Sequence, residues 1–175
     1  MSYIIKDNKK DYTPAPEGLH QAVCIDVVEL GLVTTQYKGE PYTRRCSEIR
    51  WVIEAIDPKT GKQHMLLRRF TESLSTKGHL RPFLESWRGK KFTSEELNGF
   101  DIDKLVGANC QIQVIHNLAS DGNTYANVQA VVPIHKNAAR MAAPSDYIRV
   151  KDRDKEYSSN GHGEAEAVEE EYVPF

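Results

Sequence analysis

Leu80-Arg81-Pro82-Phe83-Leu84-Glu85-Ser86-Trp87 is the stretch on which the fold turns. Its four large apolar residues, Leu80, Phe83, Leu84 and Trp87, fall at i, i+3, i+4 and i+7, which is one face of an α-helix. Pro82 is tolerated only in a first turn, so the helix starts just before it. Around this helix the apolar residues alternate instead, the period of half-buried strands.

On the N-terminal side, Val23, Ile25 and Val27 alternate with Cys24 and Asp26, giving a first strand from Leu19 to Leu30. Residues 31 to 45 mix Gly31, Gly39 and Pro41 with two tyrosines and three basic residues, which suits a long connecting loop or a splayed hairpin. A second strand, Cys46 to Ile56, sets Ile49, Trp51 and Ile53 against Arg50, Val52 and Glu54. Asp57-Pro58-Lys59-Thr60-Gly61-Lys62 is a turn by composition, leading to a third strand from His64 to Phe70. On the C-terminal side, two short capped turns precede a fourth strand through Cys110, Ile112 and Val114. Ser120-Asp121-Gly122-Asn123 turns into a fifth, Tyr125 to Val132, with Ala126, Val128 and Ala130 on one side. Three strands, a helix and two strands are the order of a mainly β, five-stranded OB-fold barrel, in which the helix between strands 3 and 4 plugs one end.

The remainder divides by composition. Residues 1–17 have no periodic apolar face and read as a flexible arm, 18–134 as the domain, 135–163 as a linker and 164–175 as an acidic tail. The formal charge of −2 hides an asymmetry. From Asp152 onward eight acidic residues outnumber two basic ones, a net of −6, which leaves +4 on the rest. A basic body suits a polyanionic ligand. Cys24, Cys46 and Cys110 are odd in number and widely spaced, which points to a reducing cytoplasm rather than a disulfide framework. No run approaches the roughly 20 apolar residues of a membrane span, and no signal segment is evident.

The histidines form no close pair and no nucleophile, dinucleotide or phosphate-loop pattern is complete, so neither metal, cofactor nor catalysis is expected. The positive signal is a set of basic residues interleaved with aromatics: Tyr37, Lys38, Tyr42, Arg44, Arg45, Arg50, Trp51, Arg68, Arg69 and Phe70, joined by Tyr125 on the polar side of its strand. An OB fold binds oligonucleotides across strands 2 and 3 and the flanking loops, where most of these residues fall. Aromatic faces stack on bases whatever the sequence, and cations neutralise phosphates. Trp51, alternating with Ile49 and Ile53, either stacks on bases or fills the core, and Phe70 at the end of its strand poses the same choice.

Glu169-Glu170-Glu171-Tyr172-Val173-Pro174-Phe175 combines a glutamate run with Pro-Phe, a chemistry that docks a ring in an apolar pocket ringed by cations. The segment resembles the acidic tip of bacterial single-stranded DNA-binding proteins, although glutamates replace the usual aspartates and Tyr172 interrupts the run. The body is similar to a family of small bacteriophage and prophage OB-fold single-stranded DNA-binding proteins. That likeness is carried by Leu80-Arg81-Pro82-Phe83-Leu84-Glu85-Ser86-Trp87-Arg88-Gly89, Phe100-Asp101-Ile102-Asp103-Lys104-Leu105-Val106-Gly107 and Tyr125-Ala126-Asn127-Val128. The resemblance implies protection of single strands in phage replication or recombination, with Glu169 to Phe175 recruiting host or phage replication, recombination or repair proteins. The residues themselves leave open a homo-oligomer. They also leave open a protein-interaction module whose tail mimics nucleic acid, and a nuclease subunit.

Overall fold

A computed structural model describes residues 13–157, with side chains as far as Arg153. Five antiparallel strands form one sheet in the order β3-β2-β1-β4-β5, with β1 Gly18–Tyr37, β2 Glu40–Ile56, β3 Gln63–Thr71, β4 Asn109–Leu118 and β5 Thr124–Val132. Helix α1, Leu80–Arg88, lies between β3 and β4, followed by α2, Ser94–Asn98, and a 3-10 turn at Ile102–Leu105. Three strands, helix, two strands is thus the order observed, and the chain is mainly β. The sheet does not close into a barrel. Its edge strands β3 and β5 are linked through a side chain: Arg68 Nη1 donates to the carbonyls of Val128 and Gln129 at 3.1 and 3.2 Å.

The expected apolar stripe of α1 is buried entire. Leu80, Phe83, Leu84 and Trp87 face the sheet, and Pro82 occupies the first turn, where it removes no helical hydrogen bond. Gly89 ends the helix at φ 71°, a left-handed position that favours glycine, and its N–H donates to the Glu85 carbonyl. The helix rests on Trp51, whose ring centroid is 5.9 Å from that of Phe83 and 5.7 Å from that of Trp87.

The simple alternation expected in β1 is broken by a bulge. Cys24 pairs with Trp51 and Asp26 with Arg50, so Ile25 is the extra residue. Ala22, Cys24 and Val27 therefore enter the main core, while Val23 and Ile25 face the other side of the sheet with Val52. A shift at Gln129 does the same in β5, so that Val128 and Val131, rather than Ala130, are buried.

The described parts of two segments expected outside the domain, residues 13–17 and 135–157, pack against it. In the N-terminal arm, Ala15 is buried in the core, and its carbonyl accepts from His116 Nε2 at 2.6 Å. The linker expected from residue 135 packs across the outer face of β1 and β2, where Met141 and Tyr147 cover Val23, Ile25 and Val52. Asn109 clasps this strap by both ends of its side-chain amide, Oδ1 accepting from Met141 N at 2.7 Å and Nδ2 donating to Met141 O at 2.9 Å. Gln21 Nε2 donates to Ala139 O at 2.6 Å. The strap ends in α3, Val150–Tyr157. Lack of periodicity hid this packing, because a strap buries a few isolated side chains rather than a continuous face. Among the described residues no helix is long and apolar enough to cross a membrane.

Candidate nucleic-acid interface

Residues 31–45, expected as a loop or splayed hairpin, are a regular hairpin arm. β1 and β2 stay paired from Gly31↔Cys46 to Tyr37↔Glu40. Lys38 and Gly39, at φ 52° and 81°, supply the two left-handed residues of a tight turn whose twist matches the strands. Leu32, Val33, Thr34 and Thr35 suit extended backbone. Pro41 lies beyond the reach of β3, on a strand with an open edge where a missing N–H is tolerated.

The register sorts the arm's side chains. Paired residues point to the same side, so Val33, Thr35, Tyr37, Glu40, Tyr42 and Arg44 share one face, and Leu32, Thr34, Gln36, Pro41, Thr43 and Arg45 share the other. Tyr37 is 66 % and Tyr42 54 % exposed, the condition for stacking on a base. Lys38 Nζ lies 5.4 Å from the Tyr37 ring centroid at the tip. At the base, Arg44 is half-buried, and its Nε has no hydrogen-bond partner among the described residues. Tyr37, Lys38, Tyr42 and Arg44 are therefore brought together.

The other candidates separate from this group. Trp51 is fully buried, and Phe70, 3 % exposed, sits 4.8 Å from the Phe83 ring; both fill the core and offer no face to a base. Their positions opposite α1 give them this duty. Arg68 also points inward, over the rings of Phe70 and Phe83, while tying β3 to β5, and burial lowers its pKa. Arg45, on the arm's opposite face, pairs with Glu29 and Glu72. Tyr125 stands at the β4–β5 turn, its hydroxyl donating to Asp121 at 2.7 Å. Glu169 to Phe175 lie outside the described residues.

Arg50 and Arg69 are on the outer face but converge on one carboxylate. Glu48, itself fully buried, accepts from Arg50 Nε at 2.7 Å and Arg69 Nε at 2.9 Å. Beside it lies Asp26, which sequence reasoning passed over. Burial opposes its charge, yet the N–H of Val150, the guanidinium of Arg149 and the hydroxyl of Tyr147 together hold its carboxyl below the usual range. Those contacts measure 2.8, 2.9 and 3.0 Å. Asp26 thereby caps the start of α3, whose dipole favours an anion there. A lone aspartate inside the apolar run Val23-Cys24-Ile25-Asp26-Val27-Val28 was the available signal, since such a group is buried only with partners.

Among the described residues no group of His, Cys, Asp and Glu is placed to hold a metal. No protein-family model matches the chain, and no curated protein matches it.

Proposed function

We propose that the protein binds single-stranded DNA with little base preference through the arm face formed by Tyr37, Lys38, Tyr42 and Arg44. One observation carries this reading: Tyr37, Tyr42 and Arg44 share a face of a projecting ribbon, and Lys38 lies against the exposed Tyr37 ring at its tip. Rings take bases by stacking and cations take phosphates, and neither contact depends on sequence. The strand and helix order, with Arg68 drawing β3 towards β5, supports an OB fold as the finer architecture. Under this reading the protein shields single strands during phage replication or recombination in the bacterial cytoplasm, and the segment Glu169–Phe175 recruits partner proteins.

Titrating labelled single-stranded and duplex oligonucleotides at several salt concentrations tests the proposal. Single strands should bind more tightly, with affinity falling linearly on a log–log salt plot. Equal binding of duplex, or no salt dependence, would overturn it. A second reading, a protein-interaction module, draws on the internal pairing of Arg45, Arg50 and Arg69 with carboxylates. It predicts no oligonucleotide binding in the same titration.

A further inference from the structure

The hairpin arm has two open edges, and they are built differently. In an antiparallel ribbon the residue pairs alternate: one pair bonds across the ribbon, and the next turns its N–H and C=O groups outward. The Arg45 carbonyl accepts from the Glu72 N–H at 2.9 Å on the β3 side, so Arg45 is an outward residue, and with it Thr43 and Pro41. Their partners across the ribbon, Leu32, Thr34 and Gln36, therefore turn outward on the other edge. The hydroxyls of Thr34 and Thr43, 2.8 Å apart, fit the close side-chain approach of such a pair. On the β2 edge, Pro41 has no donor to offer, Glu72 already holds the Arg45 carbonyl, and Arg44 and Arg45 repel a like edge. The β1 edge has none of these guards. The residues from Gly31 to Tyr37 include no proline and no charge, and Leu32, Thr34 and Gln36 are exposed. Strand β4 leaves β1 at Val23, and among the described residues nothing bonds the outward N–H and C=O groups of these three.

We propose that this edge pairs with the same edge of a second copy of the chain, antiparallel, about a two-fold axis through Thr34. With the axis there, Thr34 faces its own counterpart, Leu32 faces Gln36 of the second copy, and every outward N–H on the edge meets a C=O. The ends match in charge. Lys38 at the tip passes alongside Leu30 and Glu29 of the second copy, and the Glu29 carboxylate is exposed in spite of its pair with Arg45. A lone two-stranded ribbon is marginally stable in water, and the second copy makes it four-stranded. The axis stands perpendicular to the ribbon, so the faces that carry Tyr37 and Tyr42 come to the same side in both copies. The pairing itself does not rest on what those faces bind. The contact follows one edge for about 20 Å, at the small end of protein interfaces, so the dimer is weak and concentration-dependent.

Sedimentation of the full chain without nucleic acid, from roughly 1 µM to roughly 300 µM, covers the affinities of so small a contact. A monomer should give way to a dimer as concentration rises. Thr34→Pro, which removes the central outward N–H of the pairing edge, should weaken the dimer about tenfold or more. Thr43→Pro removes the matching N–H of the opposite edge and the same hydroxyl pair, and should leave the dimer within about twofold of the native chain. Thermal melts check that both variants stay folded. Thr34→Lys keeps the N–H but sets like charges face to face, so it should weaken the dimer in low salt and less in high salt. Under mild oxidation Thr34→Cys should cross-link two chains, because bonded antiparallel partners stand about 5.5 Å apart between Cα atoms, within reach of a disulfide. Thr43→Cys should not, and the native cysteines are all buried. A chain that stays monomeric throughout, a dimer indifferent to Thr34→Pro and Thr34→Lys or dispersed equally by Thr43→Pro, or equal cross-linking of the two cysteine variants would overturn the proposal. Every readout is taken without oligonucleotide, so failure here leaves the earlier titration to judge the arm face by itself.

Discussion

Tyr147 and Asp26, 121 residues apart in sequence, meet at 3.0 Å between hydroxyl and carboxylate on the outer face of the sheet. Arg149 and the Val150 N–H complete the shell around the same two oxygens. The contact converts a buried charge, a liability on its own, into the anchor of a strap that keeps Val23, Ile25 and Val52 dry.

Asp26→Asn should therefore destabilise the fold by about 2 kcal/mol, because it removes the charge that the Arg149 guanidinium, the Tyr147 hydroxyl and the Val150 N–H share, while Arg149 keeps its pair with Asp103. Tyr147→Phe, which removes one hydrogen bond and keeps the ring over Val52, should cost about 1 kcal/mol. Urea unfolding of each variant and of the pair gives the coupling between them.

Acid should release the same anchor. The Asp26 carboxyl is held below its ordinary value of 3.8, so the unfolded chain takes up a proton before the folded one does. Its stabilising contribution is complete above that ordinary value and is lost as pH falls towards the depressed folded value. Unfolding free energies measured from pH 6 downward should fall more steeply below about pH 4 in the native chain than in Asp26→Asn.

Ending the chain after Pro133, where the compositional domain boundary falls, should cost on the order of 5 kcal/mol, since three buried aliphatic side chains become wet. Ending it after Tyr157 should cost little. Thermal melts of the two truncations separate these outcomes.

Tyr37→Ala and Tyr42→Ala should each weaken oligonucleotide binding by about 1–3 kcal/mol while leaving the melting transition nearly unchanged. Arg44→Ala should lower the slope of the salt dependence by about one. Trp51→Ala should do the reverse of the tyrosine changes, destabilising the fold by about 3–5 kcal/mol because it empties the space between Phe83 and Trp87. Fluorescence anisotropy and melting curves on the same samples make the comparison.

The elements around α1 were legible because each signal was local. The spacing of Leu80, Phe83, Leu84 and Trp87 needs no tertiary knowledge, nor does the alternation of Ile49, Trp51 and Ile53. What escaped was set by partners distant in sequence. Whether Trp51 stacks on a base or fills the core depends on what lies opposite it, and α1 supplies that. The bulge at Ile25 changes which side of β1 is wet, and no period of two can show it. Of the basic–aromatic set, Tyr37, Lys38, Tyr42 and Arg44 gather on the arm because hairpin pairing follows from short-range turn chemistry. Arg50, Arg68 and Arg69 were taken up by Glu48 and by carbonyls of β5, groups that composition cannot assign to them.

The strap also fixes an order of events as the chain is made. Val23, Ile25 and Asp26 leave the ribosome more than a hundred residues before Tyr147 and Val150, several seconds at ordinary synthesis rates. Throughout that interval the aspartate stays hydrated and the neighbouring aliphatic patch has no cover. A nascent chain stalled before the strap would carry a sticky, half-finished sheet of the kind that chaperones hold.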